Sequence, residues 1–411
     1  MNVIEDLLDS LAPKGCPFFE LQELFDIRNG YTPSKANAEY WNEGDIPWFR
    51  MEDIRANGRV LGHALQQVPE KAIKGGKSKL FPANSILVAT SATIGEHALI
   101  TVPHISNQRF TSLAIKSSFT DRLNSKFAFY YSFVLADWCL RNTTTSSFAS
   151  VDMAGFKKFK FPVPPLEVQE KIVEILDTFA SLEAELEAEL EARKKQYEYY
   201  RNQLLTFPQE GGVKWVPIRE IADCFAGATP SSQRAEFWSN GTIPWMSSGE
   251  VNKKLITSTE KLITQEAFDS CSTRMIPKNS VVIALAGQGK TRGLVARTRI
   301  ELCTNQSLCS LVTNGSVSAD FLYFYLSTQY LQLRSASSGD GTRGGLNLQI
   351  IKSYLVPVPS LETQKLIVDI LESFESLVND ISSGLPAELD ARRKQYEYYR
   401  NKLLTFKELE G

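Results

Sequence analysis

Residues 193–207 read RKKQYEYYRNQLLTF and residues 392–406 read RRKQYEYYRNKLLTF, with two of the fifteen positions differing. Each closes a longer run that begins after a proline-rich step, FPVPPLEVQEKIVEILDTF at 161–179 and VPVPSLETQKLIVDILESF at 356–374. In the first run Val168, Ile172, Ile175, Phe179, Leu182 and Leu186 step by 4, 3, 4, 3, 4. That alternation is a coiled-coil seam, so the stretch predicts a long helix facing a partner helix. A further step of four to Leu190 puts one stutter in the heptads before Arg193, Tyr197, Tyr200, Leu204 and Phe207 resume the pattern. Forty helical residues make a rod on the order of 60 Å. The second run holds four extra residues and places Gly384 and Pro386 in ISSGLPAELD. Proline removes a helical donor and clashes with the preceding turn, so a break or kink is expected there.

The duplication covers the whole chain. GYTPS at 30–34 returns as GATPS at 227–231, Tyr40-Trp41 as Phe237-Trp238, and IPW at 46–48 as IPW at 243–245, all shifted by 197. PANS at 82–85 and PKNS at 277–280 differ by 195, Asn107-Gln108 and Asn305-Gln306 by 198. So small a drift means two copies of one module with small loop changes. Within each module, SILVATSATIG (85–95) and SVVIALAGQGK (280–290) read as buried strands between a proline-asparagine turn and a glycine loop. KFAFYYSFVLADWCL (126–140) and ADFLYFYLSTQYLQ (319–332) read as packed aromatic-rich helices. The fold class is therefore α+β, two tandem mixed α/β modules and two long helices. Leu7-Leu8 lies 197 residues before Leu204-Leu205, so the first dozen residues are expected to dock where the C-terminal helix ends, closing a ring of approximate two-fold symmetry.

At 411 residues, with 43% hydrophobic and 22% charged, the composition is that of a soluble protein of two or three domains. No run of eighteen apolar residues occurs and the N-terminus, MNVIEDLLDSLAPKG, is acidic, so a cytoplasmic location is expected. Six cysteines without a C-x-x-C pair and three scattered histidines, at 63, 97 and 104, suggest neither a disulfide framework nor a metal site. The net charge of −2 is unevenly spread: residues 18–160 carry 17 Lys and Arg against 13 Asp and Glu, and residues 213–357 carry 15 against 10. The helical stretches are acidic, 5 against 11 at 161–212 and 7 against 10 at 358–411. A polyanion partner is compatible with the globular halves only.

Catalytic signatures are missing. ALAGQGKT (284–291) ends like a phosphate-binding loop, but Ala284 stands for its first glycine and RGLVARTRIEL reads as a strand, where such a loop needs a helix N-terminus. No G-x-S-x-G, H-E-x-x-H, dinucleotide fingerprint or Asn/Asp-Pro-Pro-Tyr/Phe methylation motif is present. The reading is a non-enzymatic binding protein with two similar heads, in which loops that differ between copies carry specificity. DNA-binding candidates are Lys74, Lys77, Lys79, Thr93, Gln108 and Arg109 in the first module and Gln288, Lys290, Arg292, Gln306 and Arg343 in the second. Arg, Lys and Gln are types that reach base edges or neutralise phosphates. Asn107 and Asn305, common to both, are expected to hold a turn. Helix pairing or subunit docking falls to Leu182, Leu186, Tyr197, Tyr200, Leu204, Tyr396, Tyr399 and Leu403.

Two repeats of G-x-T-P-S, Y/F-W, I-P-W and N-Q, followed by P-V-P-P/S-L-E-x-Q and Q-Y-E-Y-Y-R-N-x-L-L-T-F, resemble the specificity subunit of a type I restriction-modification system over essentially the whole chain. The resemblance implies target-recognition domains at 1–160 and 213–357 and helical spacers at 161–212 and 358–411 that pair antiparallel. Each domain would read one half of a split double-stranded DNA target, and the helices would set the gap. It also implies two modification subunits carrying S-adenosylmethionine, and restriction subunits using ATP and Mg, with no cofactor in this chain. A coiled-coil adaptor binding protein partners without DNA specificity is the alternative.

Overall fold

The computed structural model describes residues 6, 10, 13–73, 76, 79–144, 149–208, 212–286, 291–336, 346–379 and 384–409. The chain forms two compact units, Met1–Leu186 with Leu389–Gly411, and Glu187–Glu388. Five helices carry the argument: α1 (Ser125–Arg141), α2 (Leu166–Leu204), α3 (Ala319–Thr328), α4 (Leu361–Asn379) and α5 (Leu385–Leu403).

The first unit is built on a five-stranded sheet in the order Phe25–Asn29, Phe110–Ile115, Ser85–Ala89, His97–Ile100, Val60–Leu61, with only the last pair parallel. A smaller sheet sets Ile46–Phe49 between Gln67–Val68, antiparallel, and Ile105–Ser106, parallel. The second unit repeats both: Ala222–Ala226, Leu308–Thr313, Val281–Ala284, Val295–Thr298, Leu255–Ile256, and Ile243–Met246 between Lys261–Ile263 and Cys303–Thr304. Order, direction and register agree, Ile86 facing Leu113 as Val281 faces Leu311. The central strands are fully buried apolar runs, as strands covered on both faces must be.

Asn124 caps α1 and Ser318 caps α3, each side chain accepting backbone N–H groups of the first turn. The predicted second aromatic helix is interrupted at Gln329, after which a short helix, Tyr330–Ser335, continues. At the start of α2 and α4 a buried glutamine ties helix to head. The Gln169 amide donates to the carbonyls of Arg122 (2.8 Å) and Pro164 (2.7 Å) and its Oε1 accepts from Asn124 N–H (2.8 Å). The Gln364 amide donates to Ser316 (3.2 Å) and Pro359 (2.9 Å), and its Oε1 accepts from Ser318 N–H (2.8 Å). A polar side chain with all its bonds made inside a core fixes one geometry.

The first unit joins two segments far apart in sequence: Cys16 N–H donates to the Lys407 carbonyl (2.9 Å) and Leu409 N–H to the Cys16 carbonyl (3.0 Å). Leu403 and Leu404 are buried in the core that holds Leu21, Phe127 and Phe161, and the Phe406 ring packs 5.9 Å from Phe127. Residues 2–5 and Leu7-Leu8, expected to dock there, lie outside the described residues. α4 ends at Asn379 and α5 starts at Leu385, with Pro386 in its first turn, where its missing N–H would have had no helical partner.

Candidate nucleic-acid interface

Each head carries the same corner, built by its repeated words. Tyr31 N–H donates to the Ser106 carbonyl (2.8 Å) and Ala228 N–H to Thr304 (2.9 Å), so the G-x-T-P-S loop lies against the strand that leads into Asn-Gln. Glycine is needed because a Cβ at Gly30 would sit 2.3 Å from the Asn107 carbonyl oxygen, and one at Gly227 1.8 Å from that of Thr304. Two tryptophans pin the loop from beneath: Trp48 Nε1–H donates to Tyr31 O (3.1 Å) and Trp41 Nε1–H to Ser34 O (3.1 Å). In the second head Trp245 donates to Ala228 O (3.0 Å) and Trp238 to Ser231 O (3.1 Å). The ring pairs stand edge to face at 4.9 and 5.1 Å.

On that platform the Thr32 hydroxyl donates to Gln108 Oε1, and the Thr229 hydroxyl to Gln306 Oε1 (2.5 Å). Both glutamines are exposed, so each is an oriented polar group at the surface. Asn107 Oδ1 accepts from Arg109 N–H (3.0 Å) and Asn305 Oδ1 from Ser307 N–H (3.1 Å), closing the expected turns. Sequence reasoning missed Thr32 and Thr229; their signal was the threonine shared by both G-x-T-P-S words.

Around the shared corner the heads diverge. Beneath Arg109, which is exposed, Thr90, Thr111 and Asn29 form a hydrogen-bonded chain (2.9 and 2.9 Å). The corresponding residues of the second head, Leu285, Cys309 and Ala226, form no such chain and pack in an apolar core. Thr93 is half-buried, its carbonyl accepting from Glu96 N–H (3.2 Å) in a turn where Ala92 takes a φ of 66°. Lys79 is exposed. Arg292 is half-buried beside Gly293, whose φ is 83°. Lys74, Lys77, Gln288, Lys290 and Arg343 lie outside the described residues. The structure thus brings Gln108 and Arg109 together on one turn, with Gln306 at the same place in the other head. A strand, Val295–Thr298, lies in the segment RGLVARTRIEL, as its sequence predicted.

His97 and His104 do not meet. His97 Nδ1 bonds to Gly95 O (3.0 Å) among Phe129 and Phe133, whereas His104 bonds to Val102 O (2.9 Å) between Phe49 and Phe81. Burial pulls their pKa values down to about 3 and about 4. Among the described residues no group of three or more His, Cys, Asp or Glu is placed to hold a metal, and no helix is long and apolar enough to cross a membrane. All six cysteines are free.

The helix seam divides its work. Val168 and Ile172 join Val173 and Leu176 in the head's core, while Phe179 turns to the other helix, 5.5 Å from Tyr399 and 6.3 Å from Tyr396. Arg393 reaches Glu183 at 2.7 Å, so in the first unit α2 and α5 run antiparallel. Leu403 is buried, Leu186 half-buried, and Leu182 stays 46% exposed. In the second unit Tyr197 and Leu204 pack on the core and Tyr200 lies 5.8 Å from Phe374. Tyr199 and Tyr398 face outward, 57% and 61% exposed, each edge to face with the next tyrosine at 5.4 and 5.3 Å.

The family described as type I restriction modification DNA specificity domain matches the chain twice, over residues 13–192 and 210–391. The type I restriction enzyme EcoprrI specificity subunit of Escherichia coli is 42% identical over 399 residues, 93% of this chain and 92% of that one. Among solved structures, a chain from work on complex assembly and conformational transition of the type I R-M system superposes with a TM-score of 0.66 over 96% of this chain and 98% of its own, at 17% identity. The HsdS subunit from Thermoanaerobacter tengcongensis gives 0.55 over 96% of both chains, at 16% identity. At such identities these two structures speak for the fold alone.

Proposed function

This chain belongs to the type I restriction-modification DNA specificity family, and from that premise we propose how its two heads and its helices divide the work. It is the sequence-specific DNA-binding subunit of a type I complex, each repeat reading one half of a bipartite target. The observation that carries the assignment to particular residues is the duplicated corner: the same Gly, Trp, Thr and Gln geometry recurs in both heads while the side chains around it differ. A scaffold held constant and a rim allowed to change is what two different half-sites require.

In this reading residues 1–160 and 213–357 are the target-recognition domains, and 161–212 and 358–411 are spacers that set the number of unread base pairs. Gln108, Arg109, Thr93 and Lys79 contact DNA from the first head and Gln306 and Arg292 from the second, joined by Lys74, Lys77, Gln288, Lys290 and Arg343. Arg109, opposite Ser307 of the other copy, is the first choice for a base-reading residue because arginine binds guanine O6 and N7 bidentately. The exposed Tyr199 and Tyr398, at matching places on α2 and α5, dock one modification subunit each, since large rigid side chains left in solvent are interface anchors. The chain itself is non-catalytic and works in the cytoplasm; S-adenosylmethionine, ATP and Mg act on the modification and restriction subunits.

The test is to express the chain with its modification subunit and map methylated adenines across a genome. A single split motif, two short half-sites around a fixed gap, is expected. A stable complex that methylates nothing would overturn the DNA reading. Tyr199→Ala with Tyr398→Ala is expected to abolish assembly and leave the melting temperature of the isolated chain unchanged; intact assembly would overturn the docking assignment.

A further inference from the structure

We propose that the second unit holds a binding site for a small anionic aromatic molecule, in a cavity that the first unit fills with the ring of Phe133. The two places correspond in their backbone hydrogen bonds and turns. Leu99 N–H donates to Arg59 O and Arg297 N–H to Lys254 O, both at 2.8 Å, so Arg59 and Lys254 occupy one position. Gly95 and Gly293, with φ of 89° and 83°, close the same turn against the carbonyls of Ala136 and Tyr330. Counting from the caps Asn124 and Ser318, Phe133 and Ser327 are the same helical residue, and the repeated YYRN words equate Arg400 with Arg201.

In the first unit the Phe133 ring has the Arg400 guanidinium at 4.1 Å and that of Arg59 at 5.4 Å, with the His97 ring edge-on at 4.4 Å. Cations beside an aromatic face attract it. In the second unit Ser327 turns its hydroxyl back to Phe324 O (2.7 Å), and Val295 replaces His97. What remains is a cavity of about 250 Å³ lined by Arg201, Lys254, Tyr197, Tyr323, Val295 and Ser327. An apolar cavity of about 150 Å³ takes benzene, so the space suffices for a ring with a carboxylate. The acid on its wall, Glu375, is bound by Arg297 at 3.1 Å and also feels Arg201 and Lys254. Over the whole cluster Arg297, Arg299, Arg201 and Lys254 face Asp320, Glu372 and Glu375, and the one positive charge in excess favours an anion.

Isothermal titration of sodium benzoate into the full chain tests it. One site per chain is expected, with cyclohexanecarboxylate, which has the charge without the π face, binding about tenfold more weakly. Ser327→Phe is expected to remove the site, and Phe133→Ser to add a second one. Absence of binding to the wild-type chain, equal affinity for the two acids, or undiminished binding to Ser327→Phe would each overturn the proposal. Should Ser327→Phe fail to fold, Arg201→Met carries the test: a loss of about tenfold supports the site and wild-type affinity overturns it.

Discussion

In the first unit head and rod meet through Lys126 and Asp177, 2.6 Å apart with side chains 48% and 39% exposed. The same two positions in the second unit are Asp320 and Glu372, both acids. Their cation comes from a neighbouring strand: Arg297, in the place of Leu99, reaches Asp320 (2.8 Å), Glu372 (2.6 Å) and Glu375 (3.1 Å), and Arg299 reinforces the first two. Its guanidinium also lies 5.0 Å from the Tyr323 and Phe324 rings. The glutamine clasp at each helix start is the same in both units. Within one duplicated joint the contacts to backbone carbonyls have stayed and the charges have been rebuilt, because a carbonyl is present whatever the side chain and an ion pair needs both partners changed together.

That contrast is open to direct attack. The largest effect is expected from Arg297→Met, which strands carboxylates around a buried site: about 4 kcal/mol lost from the second unit, read by chemical denaturation, with the first unit unmoved. Gln169→Ala and Gln364→Ala each leave a buried N–H and two carbonyls without their partner and are expected to cost about 3 kcal/mol, nearly equal in the two units. Unequal losses would show that the clasps are not equivalent.

Acid should then separate the units. His97 and His104 titrate near 3 and 4 when folded, below the ordinary value of 6.5, so they stay neutral in the native state while the unfolded chain gains protons. Their penalty begins as pH falls through 6.5 and reaches about 2 kcal/mol for each at pH 5. All three histidines belong to the first unit, so the second should escape this loss in a pH series of unfolding curves. Smallest is Lys126→Ala: an exposed pair contributes about 0.5 kcal/mol, and a loss approaching that of Arg297→Met would erase the distinction.

Much of this was readable in advance. The QYEYYRN words, the 197-residue shift and the two glycine-threonine-proline-serine loops predicted the duplication, and the seam from Val168 to Phe179 predicted the long helix. The seam said less about what each residue meets, since heptad spacing marks an apolar face and the first turns of α2 spend that face on the head. Arg297 was hidden for a related reason. TRGLVARTRIEL alternates like a half-exposed strand, and only the approach of acids from α3 and α4 makes a buried arginine tolerable. Gln169 and Gln364 were visible only as the shared glutamine of the P-V-P-P/S-L-E-x-Q word; their task depends on the carbonyls around them, which sequence does not locate.

The stitching of Cys16 to Lys407 and Leu409 bears on how the protein comes to be made. Chains emerge from the ribosome N-terminus first, and domains fold as their residues become available. The second unit is one continuous stretch, Glu187–Glu388, and can close as soon as that stretch is out. The first unit lacks Leu403, Leu404 and Phe406 until the chain beyond the second unit is released, so its core stays open through the synthesis of that unit. The head that is translated first is the head that is finished last.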